Sequence, residues 1–233
     1  MVMAVHMITS IDMTNNNVKT PPTLTDLESF LHLQNWFSPS FPIGAFSYSS
    51  GLETAITRGD VVDCDSLTAW LTVTLLRGAA FNDAVLLRAA FQGEVVNDLC
   101  LALCAGAERH QETTELGAAF ANLMRETQDL DLPDGLGYPV AVGIAAKTIG
   151  LPVEATLAAF LQSLIMQQIS VAVRAVPIGQ IAGQHCLLAL TPPIEAAVAK
   201  ALATNTDAIG SFALGADLCA LEHETASQRL YRT

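Results

Sequence analysis

From Thr25 onward, apolar residues return at intervals of three and four, the period at which side chains line one face of a helix. A Thr25/Glu28 pair has the spacing of a capping box, and Leu27, Phe30, Leu31 and Gln34 follow as the face of a first helix. The segment Ser38-Pro39-Ser40-Phe41-Pro42-Ile43-Gly44 stops it, because each proline lacks a donor and disfavours helix in the residue before it. Asp65 or Ser66 is read as the cap of a helix carrying Leu67, Trp70, Leu71 and Thr74 on one face. Further helices are predicted from about Asn82 to Phe91, from near Asn97, and from Thr114 through Leu116, Phe120, Leu123 and Met124. After a loop of Pro133, Gly135 and Gly137, a helix runs from Tyr138-Pro139 to Ile149, and Gly150-Leu151-Pro152 closes it. Leu157, Phe160, Leu161, Leu164, Ile165 and Gln168 then alternate in steps of three and one, a seam for another helix. Pro177 ends or kinks that segment, and helices near 179–190, 194–203 and 211–229 complete the chain. No stretch alternates apolar and polar residues between hairpin turns, and no fixed-period repeat is visible. The pattern predicts an all-α, single-domain bundle of roughly eight to ten helices over 26–228. A flexible tail is expected over 1–25 and a short C-terminal tail over 229–233.

Composition adds that this bundle has neighbours. Hydrophobic residues make up 51% of the chain and charged residues only 15%, against about 25% charged in a typical domain. So little charge leaves apolar surface facing water, which usually marks contact surfaces; an oligomer or a permanent partner is expected. The net charge of -12 repels phosphate backbones, and no basic–aromatic cluster offsets it, so nucleic acid is excluded as a partner. Lys147, Arg174 and the stretch Gln180 to His185 interrupt the longest apolar runs, so no membrane span of about 20 clean residues is expected. Met1 to Ile11 lacks the basic start of a secretory signal. Five scattered cysteines (Cys64, Cys100, Cys104, Cys186, Cys219) read as reduced thiols in the cytoplasm.

Candidate chemistry is sparse. Cys100 and Cys104 share a helical face beside His110 and could begin a metal site, but a structural zinc site needs four ligands and no second pair is near. As small apolar core residues they need no metal. The loop Gly44-Ala45-Phe46-Ser47-Tyr48-Ser49-Ser50-Gly51 resembles a hydrolase's nucleophile elbow, with His110, His185 or His223 as a possible base. Ser47 stands where that motif has glycine and no strand precedes it, so serines capping the helix of Leu52 and Glu53 are the alternative. Gly179 and Gly183 allow close helix packing, with Gln180 and Gln184 on a shared polar face. The end of the chain, from His223-Glu224 to Arg229-Leu230-Tyr231-Arg232-Thr233, places two arginines and a tyrosine after an acidic body. Those residue types favour interface hot spots; the alternative is a frayed terminus.

In sequence order, five blocks resemble the UreF family of urease accessory proteins. They are Trp36 to Glu53, Glu115 to Phe120, Tyr138 to Gly143, Val176-Pro177-Ile178-Gly179-Gln180 with Gly183-Gln184, and His223-Glu224 with Arg229 to Arg232. The chain departs from the family pattern at Met166 to Ser170 and at Tyr231-Arg232-Thr233. The resemblance implies an all-helical homodimer without catalysis of its own. It implies a place between UreD (also called UreH) and the GTPase UreG, in an assembly that docks on apo-urease, delivers nickel and carbamylates the active-site lysine. Nickel would be handled in transit, with no cofactor stably bound, and the GTPase would be modulated. By the same resemblance, Leu157, Phe160, Leu161, Leu164, Ile165 and Gln168 form the dimer interface, and Arg229, Leu230, Tyr231 and Arg232 meet UreD. Pro42, Gly44, Ser47, Tyr48, Glu53, Gln180, Gln184, His223 and Glu224 are its motif surface candidates.

Overall fold

The computed structural model describes residues 24–210 and 212–233. Among them the chain forms eleven α-helices and no strand. These are α1 (Asp26–Trp36), α2 (Leu52–Arg58), α3 (Cys64–Arg77), α4 (Ala79–Gln92), α5 (Asn97–Ala102), α6 (Ala107–Gln128), α7 (Tyr138–Ile149), α8 (Val153–Ala175), α9 (Gly179–Ala189), α10 (Thr191–Ala203) and α11 (Leu214–His223), with 3₁₀ turns at Ala45–Ser47 and Thr206–Ala208. All but α2 and α5 have ten residues or more. The expected tail over 1–25 lies outside the described residues as far as residue 23; Leu24 already packs against the core.

The bundle is built around α4, in which every residue from Phe81 to Ala90 is buried. Buried on every side, α4 packs against α3, α7, α8 and α10, and it carries Asn82, Asp83 and Arg88 into the interior with its apolar residues. The α7 contact is closest at Gly143, where an added Cβ would stand 2.3 Å from the Leu87 carbonyl oxygen. A chain of aromatic rings ties the early loop to the middle helices. Trp36 meets Phe120 edge-on at 5.2 Å, Phe120 meets Tyr138 at 6.0 Å, and Tyr138 meets Phe160 at 5.5 Å. Such tilted and edge-to-face pairs are each worth about 0.5–1.5 kcal/mol beyond their burial.

Several expectations need correction. The Thr25/Glu28 capping box forms, but Leu27, Phe30 and Leu31 face solvent, while Ser29, Leu33 and Trp36 are buried. The next cap is Asp63, with Ser66 completing its capping box, because the Asp63 carboxylate reaches the Ser66 N–H. On α8, Leu157, Phe160, Leu161 and Ile165 are wholly enclosed by their own chain. The seam therefore closes within the protomer, against α4, α2 and α10 among others, and only Leu164 and Gln168 of it keep partial exposure. A spacing that suits a partner helix suits a helix of the same bundle equally well. Cys64 and Cys186 are joined as a disulfide across 122 residues, leaving Cys100, Cys104 and Cys219 as free thiols; pairing over that distance is not legible in spacing. Finally, residues 153–175 and 179–203 do have the length and apolarity to cross a membrane. The first is the core helix α8, and the second is divided at Leu190 into α9 and α10.

Candidate functional site

The residues after α11 return across the bundle and are held by a row of carboxylates. Glu108, Glu112 and Glu115 are spaced four and three apart along α6, so they line one face. Glu53, in the first turn of α2, completes the row. Arg229 donates to Glu108 (2.6 Å), and the Leu230 and Tyr231 backbone N–H groups both donate to Glu53 (2.8 and 3.0 Å). Arg232 donates to Glu115 (2.9 Å) and to the Tyr48 hydroxyl (3.1 Å), while its own N–H donates to the Ser47 carbonyl (2.8 Å). Tyr48 in turn donates to Glu115 (2.6 Å). Arg232, Tyr48 and Gln111, all hydrogen-bonded to the Glu115 carboxylate, hold it well below its usual range, at about 2.

His223 lies under this row, 1% exposed, with Nδ1 2.7 Å from Glu108 and Nε2 3.2 Å from Glu53. A doubly protonated ring donates to both carboxylates; a neutral ring donates to one. Glu224 accepts from the Glu108 N–H (3.2 Å). Gly51 makes the approach of α2 to α11 possible. Its φ of +82° suits glycine, and an added Cβ would stand 2.8 Å from the Ala220 nitrogen.

Deeper in, Thr233 docks on the serine loop. The Ser49 N–H donates to the Thr233 carbonyl (3.1 Å), which also accepts from the Ser49 hydroxyl, and the Ser50 N–H donates to the Thr233 hydroxyl (3.0 Å). Ser50 reaches Glu112 (3.3 Å), which faces Arg109 at 3.6 Å, and Arg109 is paired with Asp83. Burial pushes the Asp83 and Glu112 carboxyls up despite the guanidinium. Burial also works against the charge on Arg109, yet the two acids hold it firmly protonated. Asp83, Glu108, Arg109 and Glu112 line the polar side of a cavity of about 220 Å³ whose apolar side includes Trp70, Leu71, Leu164 and Ile165.

The structure thus gathers Ser47, Tyr48, Glu53, His223, Glu224 and Arg229 to Arg232 into one network. Gly44 supports it, accepting the Ser47 hydroxyl at 2.8 Å with φ +79°. Pro42 stands exposed on the approach to this turn. Gln180 and Gln184 occupy a separate groove on α9, which shares Arg174 with the network, since that guanidinium lies 5.5 Å over the Tyr231 ring. Gly183 lets α9 approach Val173 and Ile169 of α8, whereas Gly179 faces open space.

The arrangement holds chain segments rather than assembling a nucleophile. Ser49 is fully buried, Ser47 and Ser50 are turned to Gly44 and Glu112, and none of the three bonds a histidine among the described residues. Cys100 is buried against Gly137, its thiol pushed up to about 12 by burial. Among the described residues, no three or more His, Cys, Asp or Glu groups are placed to hold a metal. Sequence reading missed Asp83, Glu108, Arg109 and Glu112, and placed Thr233 only within the C-terminal tail; the four-and-three spacing of the α6 glutamates was the available signal.

Fold and site together define an all-helical protein whose densest polar network secures its own C-terminal residues against a face built from α2, α6 and the serine loop. A match to the UreF family covers residues 61–191. The urease accessory protein UreF of Cereibacter sphaeroides strain KD131 is 46% identical over 208 residues, covering 88% of this chain and 99% of its own. Those of Rhodopseudomonas palustris strains BisB5 and BisB18 are 42% identical over 222 residues and 38% over 237, covering 88% and 94% of this chain and 91% and 98% of their own. The chain belongs to the UreF family of urease accessory proteins.

Proposed function

We propose that this protein is a non-catalytic adaptor of urease maturation that works in the cytoplasm as a homodimer. It bridges UreD (UreH) and the GTPase UreG, and the assembly docks on apo-urease. There it supports nickel insertion and carbamylation of the active-site lysine while modulating the GTPase. Nickel passes through the assembly without a resident site on this chain. One observation carries the reading: in a family of urease accessory proteins, Arg229 to Arg232 are locked in a defined shape while Leu230 is left 81% exposed. Leu230 is held outward by the bonds that its own N–H and that of Tyr231 make to Glu53, and we read it as a presented contact. Arg229 and Arg232 flank it as the UreD-facing group, with Tyr231 turned inward as its anchor. Because four of the six seam residues on α8 are enclosed within the protomer, the dimer contact is assigned to exposed apolar side chains elsewhere, with Leu164 and Gln168 the seam members still open to it.

Affinity capture from cells expressing the urease genes tests this: UreD, UreG and urease should be recovered together with this chain. Full urease activation in cells lacking the chain would end the proposal. Leu230→Asp should weaken UreD capture without lowering the melting temperature, and unchanged capture would remove the C-terminal group from the contact.

A further inference from the structure

We infer that Cys64 and Cys186 form an exchangeable thiol–disulfide pair, open to low-molecular-weight thiols of the glutathione type, that sets how firmly α9 is held. The inference is independent of the partners proposed above.

The two cysteines stand with Cα atoms 6.1 Å apart, inside the span a disulfide bridges. Cys64 is the first residue of α3 and Cys186 lies in the second half of α9, so the bond ties two helices that 122 residues separate. Access is uneven. Cys186 is buried, but Cys64 is partly exposed. Both line an open concavity of about 620 Å³ with Asp65, Thr68 and His185, a size that admits a tripeptide thiol. The other three cysteines have no such setting. Cys100 and Cys219 are buried, and Cys104 sits half-buried with its thiol on the Cys100 carbonyl.

What the bond controls follows from how α9 is held. Only Gly183 and Cys186 of its eleven residues are buried, Gly183 against α8 and Cys186 against α3. Its remaining surface carries Gln180 and Gln184 together with Ile181, 77% exposed, and Leu188, 69% exposed. The crosslink thus reinforces the packing of α9 on α8 and α3, to which Gly183, Cys186 and the partly buried Leu187 contribute, while Ile181 and Leu188 on its outer side face solvent.

The exchange balances without a metal or protein cofactor. A thiolate attacks Sγ of Cys64, the sulfur–sulfur bond breaks, and its electron pair leaves on Cys186 Sγ, which takes up a proton. A second thiolate attacks the outer sulfur of the mixed disulfide and releases Cys64, which is protonated in turn. Protein disulfide and two thiols give protein dithiol and one small disulfide; oxidation is the reverse, with the small disulfide as oxidant.

The test equilibrates the folded, full-length chain over a series of reduced-to-oxidised glutathione ratios, quenches with an alkylating reagent, and maps the blocked cysteines by mass. Cys64 and Cys186 should titrate together, with Cys219 unaffected. In the same samples, amides of residues 179–189 should exchange about tenfold faster with deuterium in the dithiol form. The disulfide form should melt roughly 10 °C higher, because closing so long a loop restricts the unfolded chain. Three results would overturn the inference: alkylation of both cysteines at every ratio, a crosslink that yields to glutathione only after denaturation, or identical exchange of 179–189 in both forms. Cys64→Ser should abolish the redox response and Cys219→Ser should retain it; the wild-type comparison stands if either variant folds poorly.

Discussion

Arg109 is the residue on which the buried charge of this protein depends. It faces Asp83 and Glu112 where burial has already raised both carboxyls, so its removal leaves two acids enclosed without a cation. Arg109→Ala should cost about 3–5 kcal/mol, the usual penalty for stranding a buried charge, read as a lower urea midpoint. Arg125→Ala, which breaks exposed pairs to Asp131 and Asp134 and an exposed hydrogen bond to Asn122, should cost under about 1 kcal/mol. Glu115 gives a pH signature. Its carboxyl is held at about 2, below its ordinary 4.5, so the folded state binds its proton more weakly than the unfolded chain. The contribution is complete above pH 4.5 and disappears as pH falls toward 2. Because Arg232 and Glu115 are both substantially exposed, the effect is small and screened by salt. Acidifying from pH 5 to 3 should lower the hydrogen-exchange protection of residues 229–233, taken relative to the intrinsic rate at each pH, and Glu115→Gln should remove the part of that pH dependence which Glu115 contributes.

At the scale of elements, close approach explains which glycines are irreplaceable. Gly143→Ala puts a methyl into the Leu87 carbonyl, which belongs to the backbone of the central helix and cannot rotate away. The cost should be at least about 1–3 kcal/mol, whereas Gly135→Ser, with open space around it, should meet no clash and cost only the backbone strain of its φ of +74°. The C-terminal residues are equally part of the fold. The sequence reads 229–233 as a short tail, but Tyr231 and Thr233 are buried and Glu53, Glu108 and Ser49 are bonded to the segment. Deleting 229–233 should therefore lower the melting temperature by on the order of 5–10 °C, with Leu230→Asp, which leaves those bonds in place, as the control. A truncated chain that melts like the parent would show that the docked segment adds no stability.

For the whole molecule, the scarcity of charge becomes specific surface: Phe212, Leu214, Leu218 and Leu221 on and before α11, and Leu27, Phe30 and Leu31 on α1, all face outward. Such surface is expected to be covered by a second copy or by partners. Light scattering at micromolar concentration should give twice the 24.7 kDa of one chain; a single-chain mass would withdraw the homodimer. The all-helical class, the stops at Pro39, Pro42, Gly150 and Pro177, and the family are legible in the residue order, since capping, helix breaking and ordered motifs are local or linear properties. The sequence also marked the run from His223 to Thr233 as unusual, and the family motifs added Glu53. What faces what is settled by packing in three dimensions. Periodicity fixes an apolar stripe but not its partner, so the α8 seam turned inward and the α1 stripe turned out. Nor does it bring together residues distant in the chain: Glu53, Glu108 and His223 meet, and Cys64 finds Cys186, only because α2, α3, α6, α9 and α11 pack as they do.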